Sequence, residues 1–475
     1  MSMNTAGNAY NSYGTEGIKL WQFMLLLLIG AAGVFIPAVV TSVWLYVCAA
    51  TLYGFFKGRN AYIWYAIAAS PALEIWSRMT GAPLMPYESG KYFLFVCILL
   101  LAILQWRDKQ LAPQYRIGGI ILFALFPSLI VGIAAFDWEQ WVFNVLAVLE
   151  LGLLLILVAR ERLHVEQFCR ALQYSLMAIM ALTIYISVKS PVFSDIDFSL
   201  KANSSASGGF GSNQVSSIMG AGMVLTVVLL LLKRPLFAIR WFNYLLLGVF
   251  IFRGLLTFSR GGMVVAVLAL IVAVAPKIFA SVGSFIRYSL LGLLFGLMGL
   301  AIFYKVNDAT GNMLLLRYEG ETPGTYAGSK TKTFNTMISG RGDVVMSDLA
   351  IFSDHWLFGV GPGEAKLLRR NYGYDMDVAA HTEYTRLLSE HGLGGLFVVV
   401  MLFAFPVYWL SRQKNGTWRG ISGALFTLAL LTAVHSASRT NITVVYFAFA
   451  AMPVLYETTK KYYNKPVAED SIYRQ

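Results

Sequence analysis

Charge is what this chain has least of. Only 13% of its 475 residues are Asp, Glu, Lys or Arg, where soluble domains carry about 25%, while 57% are hydrophobic. That deficit excludes an ordinary soluble domain and points to an integral membrane protein. The ~10-residue alternating segments of a membrane β-barrel are missing too. No signal-peptide pattern opens the chain, because a polar stretch precedes Leu20 and the apolar region continues to about Phe56. Cysteine is scarce: Cys48, Cys97 and Cys169 lie far apart, in or beside apolar runs. They read as small buried hydrophobes, forming neither a disulfide framework nor a metal site. HExxH, GxSxG, Walker and Cys/His ligand patterns do not occur. The net charge of +12 suggests nucleic acid at first sight. Its Lys and Arg fall in short connections between apolar runs, however, so no nucleic-acid partner is expected.

What is present is a series of long apolar runs. Ile117–Ala135 and Val142–Val158 each approach the ~20 residues that cross a ~30 Å hydrocarbon core as helix. Candidate spans begin near Leu20, Val39, Ala61, Tyr92, Ile117, Trp141, Phe168, Gln214, Ile239, Gly262, Phe285, Leu393, Ile421 and Ile442. The run from Ala61 to Trp76 is short and holds Pro71 and Glu74, so it is expected to be broken or re-entrant. Lys57/Arg59, Arg107/Lys109/Arg116, Arg160/Arg162/Arg170, Lys233/Arg234/Arg240, Lys277/Arg287, Arg412/Lys414/Arg419 and Lys460/Lys461/Lys465 occupy every second connection. The others are acidic or nearly neutral, such as Phe136-Asp137-Trp138-Glu139. The positive-inside rule then puts the basic set and both termini in the cytoplasm.

The expected fold is an all-α polytopic membrane protein with about 14 spans (12–14) and a long outer loop. The expected divisions are a cytoplasmic tail at 1–19, eleven spans over 20–304, an outer loop subdomain at 305–392, three spans over 393–458 and a cytoplasmic tail at 459–475. Four non-apolar features then share the outer side: Ser77–Lys91, Lys189–Asn213, the span end Thr257–Gly262, and the loop from Lys305 to about Gly392. So long a loop is expected to fold into a functional cap.

That loop ends in AHTEYTRLLSEHG, Ala380 to Gly392. Wound as a helix, His381, Tyr384, Leu388 and His391 share one side, while Glu383, Arg386 and Glu390 share the other. His381 is expected on the apolar side at the helix start, where burial and the dipole lower its pKa and keep a neutral base available. His391 is expected as a cation at the helix end, and the Glu/Arg/Glu stripe as a solvated face with an internal ion pair. Arg260, in LLTFSRGG, lies at the outer boundary, with Arg253 seven residues earlier and deeper on the same face. Two stacked arginines beside Gly261-Gly262, which admits close approach, favour an anion site. Arg341, in ISGRGDVV, is a third outer arginine. GVGPGEAK (Gly359–Lys366) lacks the Gly-Lys-Ser/Thr of a phosphate loop and reads as a glycine turn for packing or ligand contact. The DxD strings Asp195-Ile196-Asp197 and Asp375-Met376-Asp377 read as surface, with Asp377 as an electrostatic neighbour of His381.

Taken in order, the boundary SRG, the SGR…D…W…GVGPG loop and AHTEYTRLLSEHGLGG resemble the O-antigen ligase / O-antigen polymerase superfamily. The likeness is best over Gly208–Gly395; Thr382 departs from the Asn or Ser that commonly follows the histidine. The resemblance implies a metal-independent, cofactor-free glycosyltransferase of GT-C-like fold in the bacterial inner membrane. Its donor would be an undecaprenyl-pyrophosphate-linked glycan at the periplasmic face, its acceptor a glycan or lipid, and membrane lipids its surroundings. It also implies His381 as the catalytic histidine and Arg260 and Arg341 on the pyrophosphate, with Asn213 of GFGSNQ in a matching asparagine segment. Arg253 is expected to support them. The chemistry is self-consistent, since arginines can stabilise a pyrophosphate leaving group while a histidine takes the acceptor's proton, and one displacement inverts the anomeric centre. Ligase and polymerase of O-antigen or exopolysaccharide both remain open. A lipid-linked glycan transporter would concentrate ionisable residues at mid-membrane, where only Glu150, Arg253 and Glu74 stand.

Overall fold

A computed structural model describes residues 17–106, 114–131, 138–192, 195–338, 340–374, 380–437 and 439–455. Residues 1–16, Asp137, Asp375, Asp377, Arg107, Lys109, Lys460, Lys461 and Lys465 lie outside the described residues, and so do the expectations placed on them.

The chain opens with α1 (Leu20–Phe35), α2 (Ala38–Phe56), α3 (Asn60–Thr80), α4 (Ser89–Gln105), α5 (Gln114–Val131) and α6 (Trp138–Val158). It continues with α7 (Val165–Lys189), α8 (Ser212–Leu231), α9 (Arg240–Leu256), α10 (Arg260–Ile278) and α11 (Val282–Ala309). Short helices α12 (Met313–Tyr318), α13 (Pro323–Tyr326), α14 (Phe334–Met337), α15 (Arg341–Asp354) and α16 (Glu364–Leu368) fill the long loop. α17 (Glu383–Arg412), α18 (Gly416–Ser436) and α19 (Ile442–Ala450) follow. Two-residue strands, β1 (Leu163–His164) and β2 (Val454–Leu455), pair in parallel at the basic end.

A helix begins close to each expected start except Leu393, which lies inside α17. The apolar runs become helices because a backbone in hydrocarbon must satisfy its own hydrogen bonds. Seven of the described helices, α2, α7, α8, α10, α11, α17 and α18, are long and apolar enough to cross a membrane. This is a multi-pass membrane protein, and four further described helices are apolar but shorter. α3 corrects one expectation: it runs unbroken through Pro71. The apolar residues around Pro71 are buried, and packing holds the helix together where the ring removes one bond.

α3, α7, α8, α18 and α19 form the centre, with Trp64, Trp76, Tyr185 and Tyr446 almost fully buried. Ser175 and Tyr446 join hydroxyls there at 2.8 Å. α11 is at the rim, and Leu290, Leu293, Leu294 and Leu297 are each more than half exposed. Apolar side chains left outside a helix bundle are the surface that lipid covers.

The four non-apolar features meet at one end of the bundle. Asn203 N donates to Thr257 O at 2.9 Å, tying 189–213 to the α9–α10 turn. Arg260 reaches the long loop by donating to Arg317 O at 2.9 Å. Arg78, in α3, donates to Arg439 O at 2.7 Å. The GVGPG segment docks backbone to backbone on a kink in α17: Val360 N donates to Ser389 O and Gly361 N to Glu390 O. Gly392 makes the kink at φ 57°, and a Cβ there would lie 2.6 Å from Gly359 N. The expected glycine turn is a packing device.

Candidate functional site

The site is built around a tight turn between α9 and α10. Thr257 Oγ1 donates to Gly254 O at 2.6 Å and accepts from Ser259 N at 3.1 Å. Phe258 between them adopts φ 55°, an uncommon conformation for a bulky residue. It is held there by burial and by stacking on Phe198, ring centroids 5.5 Å apart. The turn ends α9 and restarts the chain as α10 with Arg260 at its first position. Arg253 and Arg260 therefore belong to different helices and do not stack on one face, which corrects the expectation for that pair. A seven-residue spacing gives a shared face only along an unbroken helix. Arg253 instead donates from Nε to Ser187 Oγ of α7 at 2.9 Å.

Arg260 donates to two carbonyls of the long loop, Arg317 O and Met337 O. Asn213, in the first turn of α8, accepts from Ser259 Oγ at 2.8 Å and from Arg341 Nη2 at 3.4 Å through the same Oδ1. Asn213 thus joins Arg341 of α15 to the residue just before Arg260. Arg317 is the third cation of this group: burial, then Arg260, then Arg341 lower its guanidinium to about 10. Arg341 is lowered by burial first, then by Arg439 and Arg260. Partly desolvated like charges in mutual reach are a standing attraction for an anion. Gly261 and Gly262 do admit close approach, and protein fills it. A Cβ on Gly261 would lie 2.5 Å from the His435 ring, and one on Gly262 would meet the Ser216 backbone. His435 Nε2 pairs with Ser217 Oγ at 3.0 Å.

His381 stands just before α17, not within it as the helical reading expects, and Thr382 is the N-cap. Two anchors fix that helix start. Asp348 of α15 accepts from Thr385 Oγ1 at 3.0 Å and pairs with Arg369 Nε at 2.7 Å. Tyr384 OH donates to Leu430 O of α18 at 2.8 Å. His381 Nδ1 is buried and has no hydrogen-bond partner among the described residues. Burial first, then Arg341, Arg439 and Arg369 in that order, lower the imidazole to about 4. That keeps the imidazole neutral at physiological pH, with burial the first cause and arginine charges, not the helix dipole, the others.

Two neighbouring readings are corrected. Glu383, Arg386 and Glu390 are buried at 4%, 6% and 2% exposure, not solvated. The expected internal ion pair is real and double, since Arg386 bridges Glu383 and Glu390. His391 is equally buried, and its Nδ1 pairs with Ser128 Oγ of α5. It packs between helices and does not cap one. The GVGPG segment docks on Ser389 and Glu390 and α5 meets His391.

A cavity of about 540 Å³ adjoins the site, walled by Tyr92, Phe143, Lys366, Arg369, Glu383 and Arg439, among others. Its size falls within the ~300–1,000 Å³ of ligand pockets. His381, Arg260 and Arg341 are not in its walls, but Ala380 and Arg439 are. Arg439 Nη2 donates to Ala380 O at 3.2 Å, so the cavity and His381 share a boundary. Among the described residues no group of His, Cys, Asp and Glu could hold a metal ion.

The structure thus brings His381, Arg341, Asn213 and Arg260 to one place and leaves Arg253 beside Ser187. Arg317, Arg439, Arg369 and His435 escaped the sequence reading. Arg439 alone left a signal, an S-x-S-R at a span end (Ser436–Arg439) like the S-R of Ser259-Arg260.

Helices of this length and hydropathy around a cation-lined polar site define a multi-pass membrane protein. Residues 245–400 match the family model described as O-Antigen ligase. That segment, which holds Arg260, Arg341 and His381, is similar to the O-antigen ligase family, and the resemblance to the ligase/polymerase superfamily is borne out there. No curated protein is similar enough to this chain to match it.

Proposed function

We propose that the chain transfers a glycan from a polyprenyl-pyrophosphate carrier, undecaprenyl pyrophosphate, to a hydroxyl acceptor at the periplasmic face of the bacterial inner membrane. The observation that carries this reading is His381, kept neutral with an open Nδ1, set against Arg341, which Asn213 links to Ser259, the residue before Arg260. In the reaction the acceptor hydroxyl oxygen bonds to the anomeric carbon as its bond to the pyrophosphate oxygen breaks. The bonding pair leaves with the pyrophosphate, the hydroxyl proton passes to His381, and the anomeric centre inverts. Arg260 and Arg341, with Arg317 beside them, stabilise the charge developing on the leaving group in a site partly closed to water. The match to O-antigen ligase over residues 245–400 supports the substrate class.

The test is a His381→Ala variant in cells lacking the wild-type gene, scored for glycan on its acceptor. Loss of ~10²–10⁴-fold in transfer is expected for removal of a positioned base, with the protein still inserted at normal level. Wild-type transfer by an inserted variant would end the reading. The product ladder of the deletion separates the two products: missing long chains only indicate a polymerase, and missing attachment of all chains a ligase.

A further inference from the structure

His435 takes no part in the transfer step, yet three helices meet on its ring. It stands buried in the last turn of α18. Both ring nitrogens are engaged: Nδ1 donates to Leu431 O at 3.2 Å, and Nε2 pairs with Ser217 Oγ at 3.0 Å. A carbonyl oxygen only accepts, so a neutral ring carries its hydrogen on Nδ1 and takes the Ser217 hydroxyl at Nε2. His381 differs, because its Nδ1 is open. The lone pair of His435 is already taken, and the ring is held where it is.

The ring rests on the backbone of α10. At Gly261, the residue after Arg260, a Cβ would lie 2.5 Å from the ring carbon Cδ2. α8 meets α10 just as closely: a Cβ on Gly262 would lie 2.3 Å from a Ser216 backbone carbon, and one on Gly220 would lie 2.6 Å from Gly262 O. Three residues of α8 fasten this joint. Ser216 Oγ donates to Ser259 O at 2.8 Å, and Asn213 Oδ1 accepts from Ser259 Oγ at 2.8 Å. Ser217 Oγ, held by the His435 ring, also lies 2.7 Å from Asn213 O. Arg260 stands between Ser259 and Gly261, and Arg341 donates to Asn213, so both cations hang on the joint. Where backbone meets a ring with no side chain between, a shift on one side is passed to the other.

We propose that His435 is a positioning residue for the arginines that face the pyrophosphate. Wedged between Ser217 of α8 and Gly261 of α10, it sets the spacing of Asn213 and Arg260 and, through Asn213, the aim of Arg341. It touches no substrate itself. The proposal rests on the transferase reading.

The full chain in proteoliposomes tests it, with a labelled undecaprenyl-pyrophosphate oligosaccharide as donor. Saturating lipopolysaccharide core or a second lipid-linked glycan serves as acceptor, whichever turns over. His435→Ala is expected to raise the donor KM about tenfold, as misplacing one charged hydrogen bond would. The inhibition constant of undecaprenyl pyrophosphate, which carries the leaving group without a glycan, should rise by the same factor. His435→Gln, whose amide oxygen can stand in for Nε2 and accept from Ser217, should recover most of the donor KM. Ser217→Ala should raise it by less, and the double variant should be no worse than His435→Ala, since both act through one contact. A residue that only held the fold together would lower Vmax with the amount of folded protein and leave both constants unmoved. That result in His435→Ala, or in Ser217→Ala should His435→Ala not insert, overturns the proposal, and additive effects overturn it as well. A ~10²–10⁴-fold fall in kcat at an unmoved donor KM would make His435 a base and overturn it too. Wild-type turnover by His381→Ala would instead overturn the transferase reading and the proposal with it.

Discussion

Arg439 holds its guanidinium 3.2 Å from the carbonyl oxygen of Ala380, the residue before His381. A cation fixed beside an imidazole disfavours protonation of the ring. Burial, Arg341, Arg439 and Arg369 all act on His381 in that direction, and it is lowered to about 4.

The acid limb of kcat/KM, which reports the free enzyme, should therefore lie near pH 4. Above it the imidazole is neutral and accepts a proton; below it the base is lost. A bound pyrophosphate cancels part of the arginine field, so the limb in kcat is expected at higher pH. Arg439→Gln removes one cation and should move the kcat/KM limb upward. Initial rates across the acid range check this, and a limb indifferent to Arg439 would mean that another group titrates.

Arg341→Lys keeps the charge but loses the planar fork that reaches Asn213. Donor KM should rise by a factor matching the ~1.5–3 kcal/mol of a charged hydrogen bond, with the acceptor KM unchanged. Arg260→Lys should do the same and also loosen the long loop, because Arg260 holds Arg317 O and Met337 O. Limited proteolysis of residues 318–340 reads that loosening; equal cleavage in both variants would count against it.

Arg386→Ala strands Glu383 and Glu390 in a buried setting. Breaking a buried pair this way costs ~3–5 kcal/mol, so thermal unfolding in detergent should fall by many degrees. The triple change Glu383→Gln, Arg386→Met, Glu390→Gln should recover most of that loss. A solvated stripe would show almost no effect in either variant.

Gly392→Ala places a methyl 2.6 Å from Gly359 N at φ 57°. Strain at such a position costs ~1–3 kcal/mol, and undocking of GVGPG should lower transfer along with stability. On the rim helix α11, Gly296→Ala meets nothing within 4 Å. It should be neutral or add ~0.5–1 kcal/mol, because alanine favours helix. Thermal unfolding of the two variants side by side is the check.

The order of the helices was legible in the chain, because a ~20-residue apolar run in a low-charge protein has few other fates. His381, Arg260, Arg341 and Asn213 were legible as well, each by its place in a short motif. Helix length was not legible in the runs alone, since α1 and α4 are apolar but shorter than the seven that can cross. Periodicity put Glu383, Arg386 and Glu390 on one face but could not say that protein would cover it. It also assumed one helix through Arg253 and Arg260, where the Phe258 turn makes two. Arg369 and Arg439 come to His381, and Arg317 to Arg260 and Arg341, from three separate stretches with no common spacing. Local sequence determined where helices lie and which histidine and arginines carry motifs. Tertiary packing alone decided the cation cluster, the cavity and the burial of the ion triad, because the first two are made by side chains from distant stretches and the third by protein closing over one helix face.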